Sequence, residues 1–307
     1  MYNSIVIIYT NETEIHIDEK TVISIGKFDG VHYGHQEIFN EMRKISEETG
    51  YKIAVFTFCS YTDPQLSTMT EKRGMLEAEG VDYLIEYPFT DQLRTTSGED
   101  FIKNVLVTKL NMAYIVAGDD CSFGYNKSGN AELLYKLSEQ YGYKVRILDK
   151  LKADDSDISS TQLRNLLSSG DVQKIYELKG SYYSVSGKVI KGKCLGKVIS
   201  FPTANIMLDS GKLLPKPGVY ATRTFLSGVY HDSMTNIGVN PTVEDNGILK
   251  CETHIFDIDR ELYNTVITID FIAYIREEHK FDSIEELISQ LNKDKIQSLQ
   301  ILSACRK

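Results

Sequence analysis

Between Thr21 and about Asp149, β-rich runs and helical patterns strictly alternate, and this constrains the fold more than any other property of the 307-residue chain. TVISIG, KIAVFTF, DYLIEYPF, AYIVAG and YKVRILD are apolar and β-prone. Between them GHQEIFNEMRKISEETG, EKRGMLEAEG, GEDFIKNVLVTKL and NAELLYKLSEQYG place apolar residues at helical spacing. Such alternation predicts a parallel sheet wrapped by helices, that is, an α/β unit. Ligands of these sheets sit beyond the carboxyl ends of the strands, where strand order reverses, so the chemistry is expected in loops that follow strands. The run MYNSIVIIYT predicts an opening strand.

Beyond SSTQLRNLLSSGDVQKIYELKG the texture changes to strands separated by turns: SYYSVSGKVI, GVYATRTFL, VYHDSMTNIG, KCETHIFDI and TVITIDFIAYI. Asn246-Gly247 is a two-residue hairpin signal, because both positions of a type I′ turn need positive φ. This half predicts an antiparallel barrel. A C-terminal helix follows, with Ile284, Leu287, Ile288 and Leu291 at helical spacing and expected to lie on the barrel. The boundary is expected near Gly180, giving domains 1–180 and 181–307.

A formal charge of −9 opposes extended contact with a polyanion, so long nucleic acids are poor partners, whereas a small nucleotide needs only a few N–H groups and cations. No run of about 18 apolar residues can span a bilayer. With neither a basic leader nor a cleavage site at the N-terminus, the expected compartment is the cytosol. Five cysteines at wide spacings fit neither a disulfide framework nor a zinc site.

The first chemical candidate is Gly26-Lys27-Phe28-Asp29-Gly30-Val31-His32-Tyr33-Gly34-His35, between a strand and the first long helix. Free N–H groups and the positive helix dipole attract anions there, and glycines let the backbone approach a ligand. His32 and His35, three apart, can face one phosphate and donate hydrogen bonds to charge growing on phosphorus. Ile158-Ser159-Ser160-Thr161-Gln162-Leu163-Arg164 opens another helix, where Arg164 can reach a phosphate near the helix start.

In the second half, Gly187, Lys188, Gly192, Lys193, Gly196 and Lys197 fall in one stretch that can drape N–H groups and ammonium charges over phosphates. Phe201-Pro202-Thr203-Ala204-Asn205 follows. Proline forces Phe201 to be extended, so Thr203 and Asn205 project the same way, offering oxygen ligands suited to Mg²⁺. Strand alternation sends Glu252, His254 and Phe256 to one face and Cys251, Thr253 and Ile255 to the other. A carboxylate so placed is either solvated or the base that takes a substrate hydroxyl proton. His16, His231, His254 and His279 have no partners at metal-ligand spacing and are expected at the surface or in packing.

GKFDGVHYGH, GDDCSFG and ISSTQLR, in that order and spacing, resemble the adenylyltransferase module of bacterial bifunctional riboflavin kinase/FAD synthetases. PTAN, Asn236-Ile237-Gly238 with Pro241-Thr242, Glu252 and Ile275-Arg276-Glu277-Glu278-His279-Lys280-Phe281 resemble the kinase module. The resemblance spans essentially the whole chain. It implies a Rossmann-like nucleotidylyltransferase domain followed by a riboflavin kinase-like β-barrel with a C-terminal helix. It further implies phosphorylation of riboflavin to FMN and adenylylation of FMN to FAD, with ATP as co-substrate, Mg²⁺ as cofactor and pyrophosphate as product. By the resemblance His32 and His35 hold ATP phosphates, and Gly26, Lys27, Phe28, Asp29 and Gly34 belong to the same site. Ser159, Ser160, Thr161 and Arg164 complete it, and Asp120 lies near adenine or flavin. Thr203 and Asn205 bind Mg²⁺ and ATP phosphate, Asn236 belongs to the same site, and Glu252 is the base for the ribityl 5′-hydroxyl. In the adenylyltransferase module, Cys59 to Pro64 stands where Pro-His-Pro is usual and Cys121 replaces a Phe; in the kinase module, Ile199-Ser200 replaces Leu-Gly and Lys197 an Arg. The same resemblance therefore also allows a riboflavin kinase with a degenerate adenylyltransferase module.

Overall fold

The computed structural model describes residues 7–10, 15–59, 64–88, 90–153, 156–192, 196, 199, 201–239, 249–258 and 260–305. It divides into two compact units, 1–160 and 161–307. The division lies one helix pair before Gly180.

In the first unit strands β1 (Ile7–Tyr9), β2 (Thr21–Ile25), β3 (Lys52–Cys59), β4 (Tyr83–Pro88), β5 (Met112–Gly118) and β6 (Lys144–Leu148) form one sheet in the order β1-β4-β3-β2-β5-β6. Every pairing is parallel. Helices α1 (Tyr33–Thr49), α2 (Met69–Ala78), α3 (Asp91–Thr95), α4 (Gly98–Asp100, continuing as a π-helix over Phe101–Val107) and α5 (Ala131–Tyr141) connect them, as the alternation predicts. A short antiparallel pair, β7 (Lys152–Ala153) and β8 (Ser156–Asp157), follows.

Both sheet faces are covered, so strand residues alternate between two cores. Val22, Val55, Leu84 and Val116 meet Phe39, Met42 and Ile45 of α1, while Ile23, Phe56, Ile85 and Ile115 meet Phe101, Ile102 and Leu134. Two-faced burial is why these strands read as continuous apolar runs. After β1 at one edge, the chain passes to β2 in the middle, winds through β3 to β4, which pairs with β1, then restarts on the other side of β2 at β5. The order reverses between β2 and β5.

The second unit opens with α6 (Ser160–Ser169) and α7 (Val172–Lys179). Strands β9 (Tyr183–Ile190), β10 (Ala204–Leu208), β11 (Gly218–Leu226), β12 (Val229–Val239), β13 (Leu249–Ile255) and β14 (Val266–Arg276) close an antiparallel barrel in the order β10-β13-β12-β11-β14-β9. Asn246-Gly247 and Pro241-Thr242 lie outside the described residues. The lumen takes alternate residues of each strand, including Val185, Ile206, Ile237, Ile269 and Phe271, all buried. Five buried hydroxyls also form a string there: Thr224 to Ser233 at 2.9 Å, Ser233 to Thr222 at 2.8 Å, Thr222 to Thr235 at 2.8 Å, and Thr235 donating to Thr253 at 3.0 Å. Thr253 in turn donates to the carbonyl of Met234 at 3.4 Å.

Helix α8 (Ile284–Ala304) starts at Ser283, whose hydroxyl accepts the Glu286 N–H, and covers the outward residues Ala221, Met234, Phe256 and Ile272. Leu287, Ile288 and Leu291 face the barrel side as expected, but Ile284 is 55% exposed. The buried stripe begins one turn later and continues through Asp294, Ser298 and Leu302. Asp294, 1% exposed, is gripped by Arg276 of β14 through Nε at 3.0 and 3.1 Å and Nη2 at 2.7 Å, and also accepts Gln290 Nε2 at 2.8 Å.

Removing one partner of a buried ion pair strands the other. Asp294→Ala is therefore expected to lower unfolding free energy by about 3 to 5 kcal/mol, and Ile284→Ser to change it by less than about 0.5 kcal/mol. Urea denaturation of both variants checks the pair; equal effects would refute this placement of α8.

Candidate active sites

The first site lies at the carboxyl ends of β2 and β5, where the strand order reverses, as expected for an open parallel sheet. The loop after β2 bends sharply, with positive φ at Phe28 (46°), Gly30 (84°) and Val31 (29°). Asp29 holds this bend: its carboxylate accepts the N–H groups of Leu66 at 3.1 Å and Ser67 at 3.0 Å, and its carbonyl accepts the Ser160 hydroxyl at 2.8 Å. Phe28 is turned inward, edge-on to His35 and packed on Phe39, so its ring belongs to the core. Lys27 is exposed. Gly34 leaves room for the His32 ring, which a Cβ there would meet at 3.1 Å, and Gly26 does the same for the Phe28 ring.

His32 is the N-cap residue of α1, yet its side chain makes no capping bond and the first turn contains no acid. The His32 and His35 rings stack with centroids 3.8 Å apart. The Nδ1 atoms of both are buried and have no hydrogen-bond partner among the described residues. Burial pushes the His32 pKa down to about 4, opposed by Asp120; burial, His32 and Lys72 hold His35 well below the ordinary imidazole value. Both rings are neutral at pH 7, each with one N–H to donate beside a positive helix end. Asp120, after β5, pairs with Lys150 at 3.1 Å. The neighbouring Cys121 thiol is pushed up to about 11 by burial, then by Asp120 and Asp119, which leaves it unreactive. Ser159 is partly buried, and Thr161 and Arg164 fall in the second unit. The residues that replace Pro-His-Pro lie mostly outside the described part.

The second site is on the outer barrel wall beneath α8. Register places Asn205 of β10 opposite Glu252 of β13, and Glu252 opposite Asn236 of β12. Side chains of directly paired residues point the same way, so the two carboxamides flank the carboxylate in one row. Glu252, Thr203 and Asn236 line a cavity of about 340 Å³, and Asn205 lies beside it on the next strand. Asn236 Nδ2 donates to Glu278 Oε1 at 2.7 Å. Thr203 also lines a second cavity of about 60 Å³, walled by Pro202, Ala204, Ile255 and Leu262.

The glycine- and lysine-rich stretch is only partly a loop. Gly187 and Lys188 lie inside β9, where a Cβ on Gly187 would overlap the carbonyl of Met207 across the strand pair. Backbone at Gly192 sits directly on the Asn205 carboxamide, and Gly196 on the Phe201 carbonyl. Lys193 and Lys197 lie outside the described residues.

Sequence reasoning did not assign Arg276, Glu278, His279 and Phe281 to a site, although all four line the larger cavity with Leu287 and Leu291. The signal that could have found them was the Ile275–Phe281 run, which resembles the kinase module but carried no assigned role. His254, expected in packing, is 8% exposed and lines the same cavity.

Comparison with known proteins covers both units. Residues 14–162 match the family described as FAD synthetase and residues 179–302 the family described as riboflavin kinase. The chain is 35% identical over 292 residues to the bifunctional riboflavin kinase/FMN adenylyltransferase of Listeria monocytogenes, with 92% of each chain covered. It is 33% identical over 301 residues to that of Bacillus subtilis, with 94% of each covered. A solved structure from Streptococcus pneumoniae, named as a macrolide-efflux protein, superposes with a TM-score of 0.86 at 28% identity over 95% of this chain and 99% of that one. Among the described residues no helix is long and apolar enough to cross a membrane.

The neutral His32 ring couples stability to pH. An unfolded imidazole takes its proton near 6.5 and the folded one near 4, so between these values the unfolded state binds more protons and acid favours unfolding. Stability is expected to fall as pH drops from about 7 toward 4, and His32→Gln to flatten that slope. Thermal melts across this range test it; parallel slopes would contradict a buried neutral ring.

Proposed function

The chain belongs to the family of bifunctional riboflavin kinase/FMN adenylyltransferases, and we propose that it phosphorylates riboflavin to FMN and adenylylates FMN to FAD. The first reaction falls to residues 181–307 and the second to 1–180, with ATP as co-substrate of both. The observation that carries the reading is Glu252 in the wall of a cavity of about 340 Å³, within the range of about 300 to 1,000 Å³ that suits a small organic ligand.

For phosphoryl transfer, Glu252 accepts the proton of the ribityl 5′-hydroxyl as that oxygen attacks the γ-phosphorus of ATP, and ADP leaves. Asn236 and Asn205, in register on either side, orient the groups around it. Thr203 stands in the walls of both cavities, where a phosphoryl group passing from nucleotide to flavin has to go. Its hydroxyl and the Asn205 amide oxygen are neutral hard donors, so the two fit Mg²⁺ shared with phosphate oxygens. When bound, that ion neutralises part of the triphosphate charge.

For adenylyl transfer, an FMN phosphate oxygen attacks the α-phosphorus of ATP and pyrophosphate leaves. The stacked, uncharged His32 and His35 rings and the uncapped start of α1 supply donors toward the phosphates. Gly26, Lys27 and Gly34 bring backbone and charge to the same place, and Asp29 and Ser160 hold the loop in shape. The roles of Ser159, Thr161, Arg164 and Asp120 rest on family membership.

Incubation of the full chain with riboflavin, ATP and Mg²⁺, followed by separation of the flavins, is expected to yield FMN and then FAD. Glu252→Ala is expected to slow FMN formation by about 10² to 10⁴-fold while riboflavin still binds. The double variant His32→Ala, His35→Ala is expected to lose FAD formation and keep the kinase. Wild-type protein that consumes no ATP with riboflavin would end the proposal; FMN without FAD would limit it to the kinase.

A further inference from the structure

We propose that His254 is a positioning residue for phosphoryl transfer: it fastens the Phe201-Pro202-Thr203 segment to the strand that carries Glu252. The inference rests on the kinase reading above. His254 follows Glu252 by two residues on β13, so both project from the outer barrel face. Its ring lies between Phe201, at 5.2 Å, and Phe256, at 5.5 Å. Its Nδ1 is 2.7 Å from the carbonyl oxygen of Pro202. A carbonyl oxygen can only accept, so Nδ1 carries the proton. Burial, opposed by that carbonyl, lowers the pKa and keeps the ring neutral.

The location of this bond is what gives it consequence. Pro202 has no N–H to place in a ladder, and Thr203 comes next. One residue further on, β10 begins, with Ala204 paired to Thr253 and Asn205 to Glu252. Thr203 is thus pinned on both sides to β13, before it by the His254 bond and after it by the strand register. The base and the groups assigned to the nucleotide phosphates are thereby held at a fixed separation. A purely apolar ring would fill the gap between Phe201 and Phe256 equally well, so packing alone does not call for an imidazole.

Two substitutions separate donor from bulk. His254→Phe keeps the ring between its aromatic neighbours and removes the N–H, whereas His254→Asn keeps a donor near the Nδ1 position. FMN formation would be followed at varied MgATP, with riboflavin affinity taken from flavin fluorescence quenching and folding from thermal melts. In His254→Phe, kcat/KM for MgATP is expected to fall by about 30- to 100-fold, with riboflavin affinity and melting close to wild type. His254→Asn is expected to recover at least about tenfold of that loss.

Wild-type MgATP kinetics in His254→Phe would overturn the proposal. So would a loss that appears in riboflavin affinity instead, or a His254→Asn variant no better than His254→Phe. If His254→Phe fails to fold, His254→Asn decides alone: MgATP kinetics within about tenfold of wild type support the role, and a larger fall overturns it. An inactive wild-type chain would instead overturn the kinase assignment and this role with it.

Discussion

Closure of the six-stranded barrel leaves no strand free to slip, and that fixed register is the constraint on which the second unit's chemistry depends. A shift of one residue between β10 and β13 would send Asn205 to the other face while Glu252 stayed in place. Glu252 and the two carboxamides beside it belong to three strands that are distant in sequence, and only backbone pairing aligns them. The outward row then acquires a cavity because α8 lies over it, and α8 is held there by Arg276 and Asp294 as much as by apolar contact. Replacing a buried ion pair with apolar residues is often neutral for stability; here the pair also fixes the direction of an arginine in the cavity wall.

The first unit solves a similar problem with different means. Its site is created by a topological reversal, and the loop that fills it departs from ordinary backbone geometry at Phe28 and Val31. Such conformations persist where the surroundings over-determine them. Asp29 does this by accepting two N–H groups from the segment before α2, and Ser160 adds a third tie. The start of α1 is left without a side-chain cap and carries two uncharged imidazoles, a setting in which free N–H groups and the helix dipole favour a small anion.

Much of this was legible in the residues. Parallel strands buried on both faces leave continuous apolar runs, so β2 to β6 could be read directly. Period-two alternation likewise separated Glu252, His254 and Phe256 from Cys251, Thr253 and Ile255, the outward and lumen sets of the folded barrel. Other features were hidden for identifiable reasons. Asp294 and Ser298 lie in the buried stripe of α8, but apolar periodicity cannot mark a carboxylate whose partner is eighteen residues away on another element. Ile284 has the right spacing and sits where the helix overhangs the barrel. The side chains of Phe28 and Asp29 turn toward the core and a neighbouring loop, a choice made by tertiary contacts that no local pattern encodes. His254 looked like filler because its partner is a main-chain carbonyl, and a carbonyl has no sequence signature.

The hydroxyl string in the lumen has a direction, and a single atom sets it. The Met234 carbonyl can only accept, so Thr253 must spend its proton there. It then takes the proton of Thr235, which takes that of Thr222, then Ser233, then Thr224. All five O–H dipoles therefore align head to tail in the buried lumen, pointing toward the strands that bear Asn236 and Glu252. Cutting it at Thr224 would trim its tail, whereas cutting it at Thr222 or Thr235 would disorient every member upstream.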